Sequence, residues 1–181
     1  MPIVTPESSL PQTVDVFKLA VQGASLSGQV ESAHLSRLGE VAPVVPGSVH
    51  AELEFFIGDE GFAEVSGSVR GEVSLSCQRC LGRLSQVLSG EFTLGAVRKD
   101  EDAVGLPRRL DPWLVDSESS DLHALIEDEL LLNLPIVALH PSGACEPGLR
   151  FSFGEDESNM AGKEAGKDNP FQILEQLKKP R

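Results

Sequence analysis

The chain has 181 residues with 15 basic and 28 acidic side chains, a net charge of −13, which excludes a protein that coats phosphate backbones over its whole surface. That length suffices for one domain with a real apolar core, and three cysteines are too few for a disulfide scaffold. The start, Met1-Pro2-Ile3-Val4-Thr5-Pro6, has neither a basic n-region nor an apolar h-region, so a cytoplasmic location is expected.

Residues 1–11 are rich in Pro and Ser and read as a loosely ordered N-terminus. Val14 to Val21 fits neither a strand nor a helix period cleanly, although Lys18 and Gln22 on one side favour a helical turn. Ala24, Leu26, Gly28 and Val30 alternate as in a strand, and His34 to Leu38 adds a turn of helix before Gly39. Val49, Ala51, Leu53, Phe55 and Ile57 then alternate with His50, Glu52, Glu54 and Phe56, the pattern of a strand with one buried face. Gly58-Asp59-Glu60-Gly61 reads as a hairpin turn. Beyond it Ala63, Val65, Gly67, Val69, Gly71, Val73, Leu75 and Cys77 keep one parity, and Leu84, Gln86, Leu88, Phe92, Leu94 and Ala96 form a third alternation. Three sequential strands of this kind make an antiparallel meander.

The second hairpin is capped by Cys77-Gln78-Arg79-Cys80, two thiols with the spacing of half a tetrahedral metal site. The remaining cysteine, Cys145, lies in a second short turn, His140-Pro141-Ser142-Gly143-Ala144-Cys145, sixty residues further on. Together they make a Cys₃His set of the kind zinc takes in structural sites, with Glu146 or water as the fourth ligand if His140 turns away. A thioredoxin-type redox pair is the rival reading, but it wants a βαβ context rather than a pair set between alternating strands.

Arg98 to Pro112 is charged and irregular and reads as a surface loop, with Trp113-Leu114-Val115 returning as an edge strand. Asp121 is a candidate N-cap for a helix whose stripe Leu122, Leu125, Ile126 and Leu130 covers the sheet while Glu127-Asp128-Glu129 partly face water. Consecutive helix positions point in different directions, so these three acids do not form a catalytic pair, and His34, His50 and His123 read as surface or capping groups. Leu134-Pro135 stops the helix. Residues 154–168 are acidic and Gly-rich, a disordered linker by composition. Residues 169–179 are a short amphipathic helix, with Asn169 as N-cap, Pro170 at its first position, and Phe171, Leu174 and Leu177 along one side.

The order of these motifs carries a resemblance. Cys77-Gln78-Arg79-Cys80, then Ile126-Glu127-Asp128-Glu129-Leu130 running into Leu134-Pro135, then His140 with Cys145, then Asn169-Pro170-Phe171 with a closing basic helix, resembles the YceD family, described as large ribosomal RNA subunit accumulation proteins. The resemblance runs over residues 14–178. It implies a bacterial cytosolic factor in the synthesis, processing or stability of large-subunit (23S) ribosomal RNA, with metal-binding and nucleic-acid-binding character suspected from the cysteines.

The expectation is therefore an α+β domain over residues 12–153, its antiparallel sheet covered by one main helix, that acts without catalysis, a membrane or a small-molecule substrate, with a nuclease or a thiol oxidoreductase as the weaker alternative. Two kinds of partner fit the charge. Residues 70–109 carry a local excess of two positive charges, leaving −15 elsewhere. Arg79, Arg83, Arg98 and Lys99 are candidate RNA contacts, since guanidinium forks suit phosphate. Glu127, Asp128 and the 169–177 helix residues are candidate docking groups for a basic ribosomal protein. The scarcity of aromatic residues, with no Tyr and one Trp, disfavours single-strand stacking.

Overall fold

Five strands form the sheet that places everything else, in the order β2-β3-β4-β5-β6. The computed structural model describes residues 9–115 and 119–145, all within one compact unit, Met1–Glu146. The expected linker at 154–168, the helix at 169–179 with Asn169, Pro170, Phe171, Leu174 and Leu177, and the alternative ligand Glu146 lie outside the described residues.

The N-terminal ambiguity resolves as both element types. A short β1 (Thr13–Val14) is followed by α1 (Val16–Gln22). Capping decides the helix where periodicity did not, for the Asp15 carboxylate accepts from the Lys18 N–H at 3.0 Å and Gly23 closes the C-terminus at φ 60°. β2 (Ser25–Gln29) follows, and then α2 (Ser36–Val41), which runs through Gly39 instead of stopping before it. The Gly39 N–H bonds the Leu35 carbonyl at 2.9 Å, continuing the turn.

β3 (His50–Ile57), β4 (Ala63–Ser76) and β5 (Arg83–Val97) are the meander that the alternation indicated. Their registers put Leu53 opposite Gly67, Phe55 opposite Val65, and Val65 opposite Leu94, so the apolar parities of all three strands share one face. α1 and α4 (Leu122–Leu132) cover that face. The core joins Leu53, Phe55, Val65, Val69 and Leu88 of the sheet to Val16 and Ala20 of α1 and Leu122, Ile126 and Leu130 of α4. The missing side chain at Gly90 leaves room for the Asn133 side chain at the end of α4, which a Cβ there would displace.

Two features depart from the sequence reading. β6 (Asp111–Leu114) pairs with β5 in parallel, Leu94 opposite Asp111, so the sheet is mixed rather than purely antiparallel. A parallel neighbour needs a crossover, which Arg98–Leu110 supplies, and this segment holds a one-turn helix, α3 (Asp100–Ala103). The crossover is clasped by Arg109, whose guanidinium bonds both carboxylate oxygens of Glu64 at 2.7 and 2.6 Å and that of Glu60 at 2.7 Å. A second, two-stranded sheet pairs β1 with β7 (Ser120–Asp121), just before Asp121 caps α4 by accepting from the Ala124 N–H at 2.9 Å.

Candidate metal centre

β4 and β5 continue together past the end of β3, which pairs β4 only as far as Arg70, and the thiols sit at their tip. The turn is tight. The Cys77 N–H bonds the Gly82 carbonyl at 2.9 Å and the Leu81 N–H bonds the Cys77 carbonyl at 2.8 Å. This forces Leu81 to φ 58°, in the left-handed region. A Cβ on Gly82 would lie 3.4 Å from the Cys80 sulfur and 3.7 Å from the His140 ring.

The segment after α4 runs back to this tip. The Gln78 N–H donates to the Ala138 carbonyl at 2.8 Å, and a turn with Gly143 at φ 85° brings Cys145 round. Cys77, Cys80, His140 and Cys145 thereby place their ligand atoms within 4.8 Å of one another, a group that can hold a metal ion. The Cys77 and Cys145 sulfurs are 3.9 Å apart, and His140 Nδ1 lies 3.3 Å from the Cys80 sulfur and 3.9 Å from the Cys145 sulfur. A tetrahedron with metal–sulfur bonds of ~2.3 Å has edges of about 3.8 Å. All three cysteines are free thiols.

The histidine is oriented for ligation. Its Nε2 lies 3.0 Å from the Arg83 carbonyl, which can only accept, so Nε2 carries the hydrogen and Nδ1 is the atom turned to the sulfurs. Such a bond to the far nitrogen is how proteins fix a ligating imidazole. Burial raises the Cys77 thiol, but this is outweighed by N–H groups of His140, Cys80 and Arg79 aimed at the sulfur, which bring it down to about 5. His140 is held above its ordinary value, first by Cys80 and then by the Arg83 carbonyl. Cys145 is raised, mainly by burial and by the Cys80 and Cys77 thiols. The site thus combines a thiolate and an imidazole with two further sulfurs, and two tight turns present all four.

The cationic candidates do not gather around it. Arg79 and Arg83 are exposed at the tip, with an Arg79 nitrogen 3.9 Å from the Cys145 sulfur. Arg98 and Lys99 follow the other end of β5, about 45 Å away at the usual rise of a strand, and Arg98 stacks over the Phe17 ring at 4.4 Å.

Among the acidic candidates, Asp128 is exposed, whereas Glu127 is buried instead of facing water, its side chain only 5% accessible. It accepts from Arg37 Nε at 2.8 Å and from the Leu38 N–H at 3.0 Å. The reason is that α2 packs against α4, so α4 is covered on a second side that its single apolar stripe did not announce. His123 is likewise buried, its Nε2 3.1 Å from the Leu10 carbonyl and its ring against His34.

A feature that sequence reading missed is a groove of about 760 Å³ beside β5 and β6, whose lining includes Glu52, Glu54, Glu91, Asp111, Asp128 and Glu129 along with Phe92, Trp113 and Leu132. Each acid by itself has the look of a solvated position on a strand, helix or, for Asp111, the Arg98–Pro112 loop. Their convergence is set by sheet register and by the placement of α4, neither of which local periodicity encodes.

No helix among the described residues is long and apolar enough to cross a membrane. The family model described as "Large ribosomal RNA subunit accumulation protein YceD" matches residues 65–178. A protein of that same description from Haemophilus influenzae is 34% identical over 171 residues, 93% of this chain and 96% of that protein. No solved structure matches the chain. The motif order, the meander with its Cys₃His tip and both matches agree, and the chain belongs to the YceD family of large ribosomal RNA subunit accumulation proteins.

Proposed function

We propose that this chain is a non-catalytic, cytoplasmic factor that supports the synthesis, processing or stability of large-subunit (23S) ribosomal RNA by binding a basic protein of the large ribosomal subunit. The acidic groove carries this reading: six carboxylates line it, of which Asp128 is paired with Arg37, and its one lining cation, Arg109, is already paired with Glu60 and Glu64. Such a surface repels a phosphate backbone and attracts Lys and Arg. The family and its H. influenzae member bear the name of large ribosomal RNA subunit accumulation, and an effect on RNA through one of its protein partners is consistent with that name.

Zinc is the ion the Cys₃His centre suits, because three sulfurs and one imidazole in a closed tetrahedral set are its structural ligands. Its role here is to staple the Ala138–Cys145 segment to the hairpin tip. Protein purified without chelator should carry close to one zinc per chain by elemental analysis.

A second reading, direct RNA binding by the tip, is favoured by the exposure of Arg79 and Arg83. Crosslinking the tagged protein in growing cells separates the two. Attachment to a ribosomal protein, unaffected by Arg79→Glu with Arg83→Glu, supports the first. Attachment to ribosomal RNA that this double change abolishes supports the second.

A further inference from the structure

One edge of β5 is left open. From Leu94 to Val97 it is taken by β6 and at the tip the Arg83 carbonyl is held by His140 Nε2, but from Leu84 to Thr93 no strand lies on it among the described residues, while β4 pairs the opposite side from Arg83 to Gly95. An open edge presents unpaired backbone N–H and C=O groups to any chain that can lie alongside, and proteins that must stay unpaired block such edges with proline or lysine. Between Leu84 and Thr93 there is neither, and Glu91 is the single charged residue. The groove runs beside this stretch, since Glu91, Phe92 and Thr93 line it together with Glu129 and Leu132 of α4. Glu129 is held above the ordinary carboxylate range by burial and by the neighbouring Asp111 and Asp128.

We propose that an extended, Lys- and Arg-rich segment of the protein partner adds to β5 along Gln86–Thr93 as a further strand, with its alternate side chains set in the acidic groove. This rests on the protein-partner reading above and specifies where and how that partner is held. Main-chain bonds to a sheet edge supply affinity and the pockets beside it supply selectivity. Here the selectivity is for cationic side chains whose stems can lie on Phe92, Trp113 and Leu132. RNA offers no peptide backbone to the edge and meets carboxylates beside it. A second copy of this chain, with a net charge of −13, would bring a further acidic surface to this one, a like-charge approach that disfavours pairing.

The test uses the full chain and the proteins extracted from large ribosomal subunits freed of RNA. Captured proteins are identified by mass spectrometry, and amide exchange of the complex locates the contact. Slower exchange confined to Gln86–Thr93, with capture weakened about tenfold or more by Glu91→Lys with Glu129→Lys and less by Glu91→Gln with Glu129→Gln, is the expected result. Thermal melting of each variant establishes that it is folded. Capture with protection elsewhere, or capture indifferent to charge reversal, overturns strand addition and leaves the protein-partner reading standing. Capture of no protein, or of RNA from a parallel incubation with ribosomal RNA, overturns both. Self-association that protects the same edge assigns it to a second copy and overturns the proposal.

Discussion

Cys77 and His140 are displaced in opposite directions, and the signs lead to a pH dependence. The Cys77 thiol falls from 9.0 to about 5, so in the metal-free chain its stabilising contribution is complete above pH 9, declines as the pH is lowered, and is lost below about 5. His140 lies above 6.5; its contribution is complete below that value and lost as the pH rises through its raised one. Metal-free stability should therefore fall between pH 7 and 5, seen as a falling denaturation midpoint, and Cys77→Ser should flatten that slope. Metal ligation requires Nδ1 of His140 and the thiols without their protons, so His140→Ala or Cys145→Ala should reduce bound zinc from about one per chain to well below half. At Glu127 the expected effect is structural. Removal by Glu127→Ala leaves the buried Leu38 N–H without its acceptor and leaves Arg37 held only by Asp128 and the Ala124 carbonyl, at a cost of ~1–3 kcal/mol in chemical denaturation.

Among the elements, the crossover to β6 depends on a single buried carboxylate. Glu64 is fully buried, Arg109 is its partner, and Gly58 leaves the space its carboxylate occupies. Arg109→Met should destabilise by ~2 kcal/mol or more, since it strands a buried charge. Gly58→Ala should destabilise as well, because its Cβ displaces that carboxylate; equal melting of Gly58→Ala and the parent would contradict this account. The meander and α4 were legible in the sequence because half-buried strands and helices write their period into it, as Ala63 to Cys77 and Leu122 to Leu130 do. The Cys₃His set was legible because thiols are scarce. Glu64 was not, since it occupies an outward parity and is buried by a distant arginine, and β6 was not, since strand direction is set by a crossover. Glu127 was hidden for a related reason, as the helix that covers it lies about ninety residues earlier.

For the whole molecule, the metal tip and the core are separate. The core cluster contains none of the four ligands, so a chelator should free the amides of Cys77–Gly82 and Ala138–Cys145 to exchange while those of β3, β4 and α4 remain protected. The separation of Cys80 from His140 along the chain also sets the order of events in folding. A hairpin such as β4–β5 closes through local contacts, whereas His140 and Cys145 arrive only after α4 has docked and the intervening chain has lost its freedom. The ion then binds a structure that has already formed, and it opposes the exit rather than hastening the entry. Refolding in stopped-flow experiments should proceed at the same rate with and without zinc, while unfolding should slow by about tenfold or more when zinc is present. Zinc-accelerated refolding would instead mean that the two halves of the site meet before the helix is in place. Under the expected order, a zinc-loaded chain is one that has completed its fold, and metal content becomes a count of finished molecules.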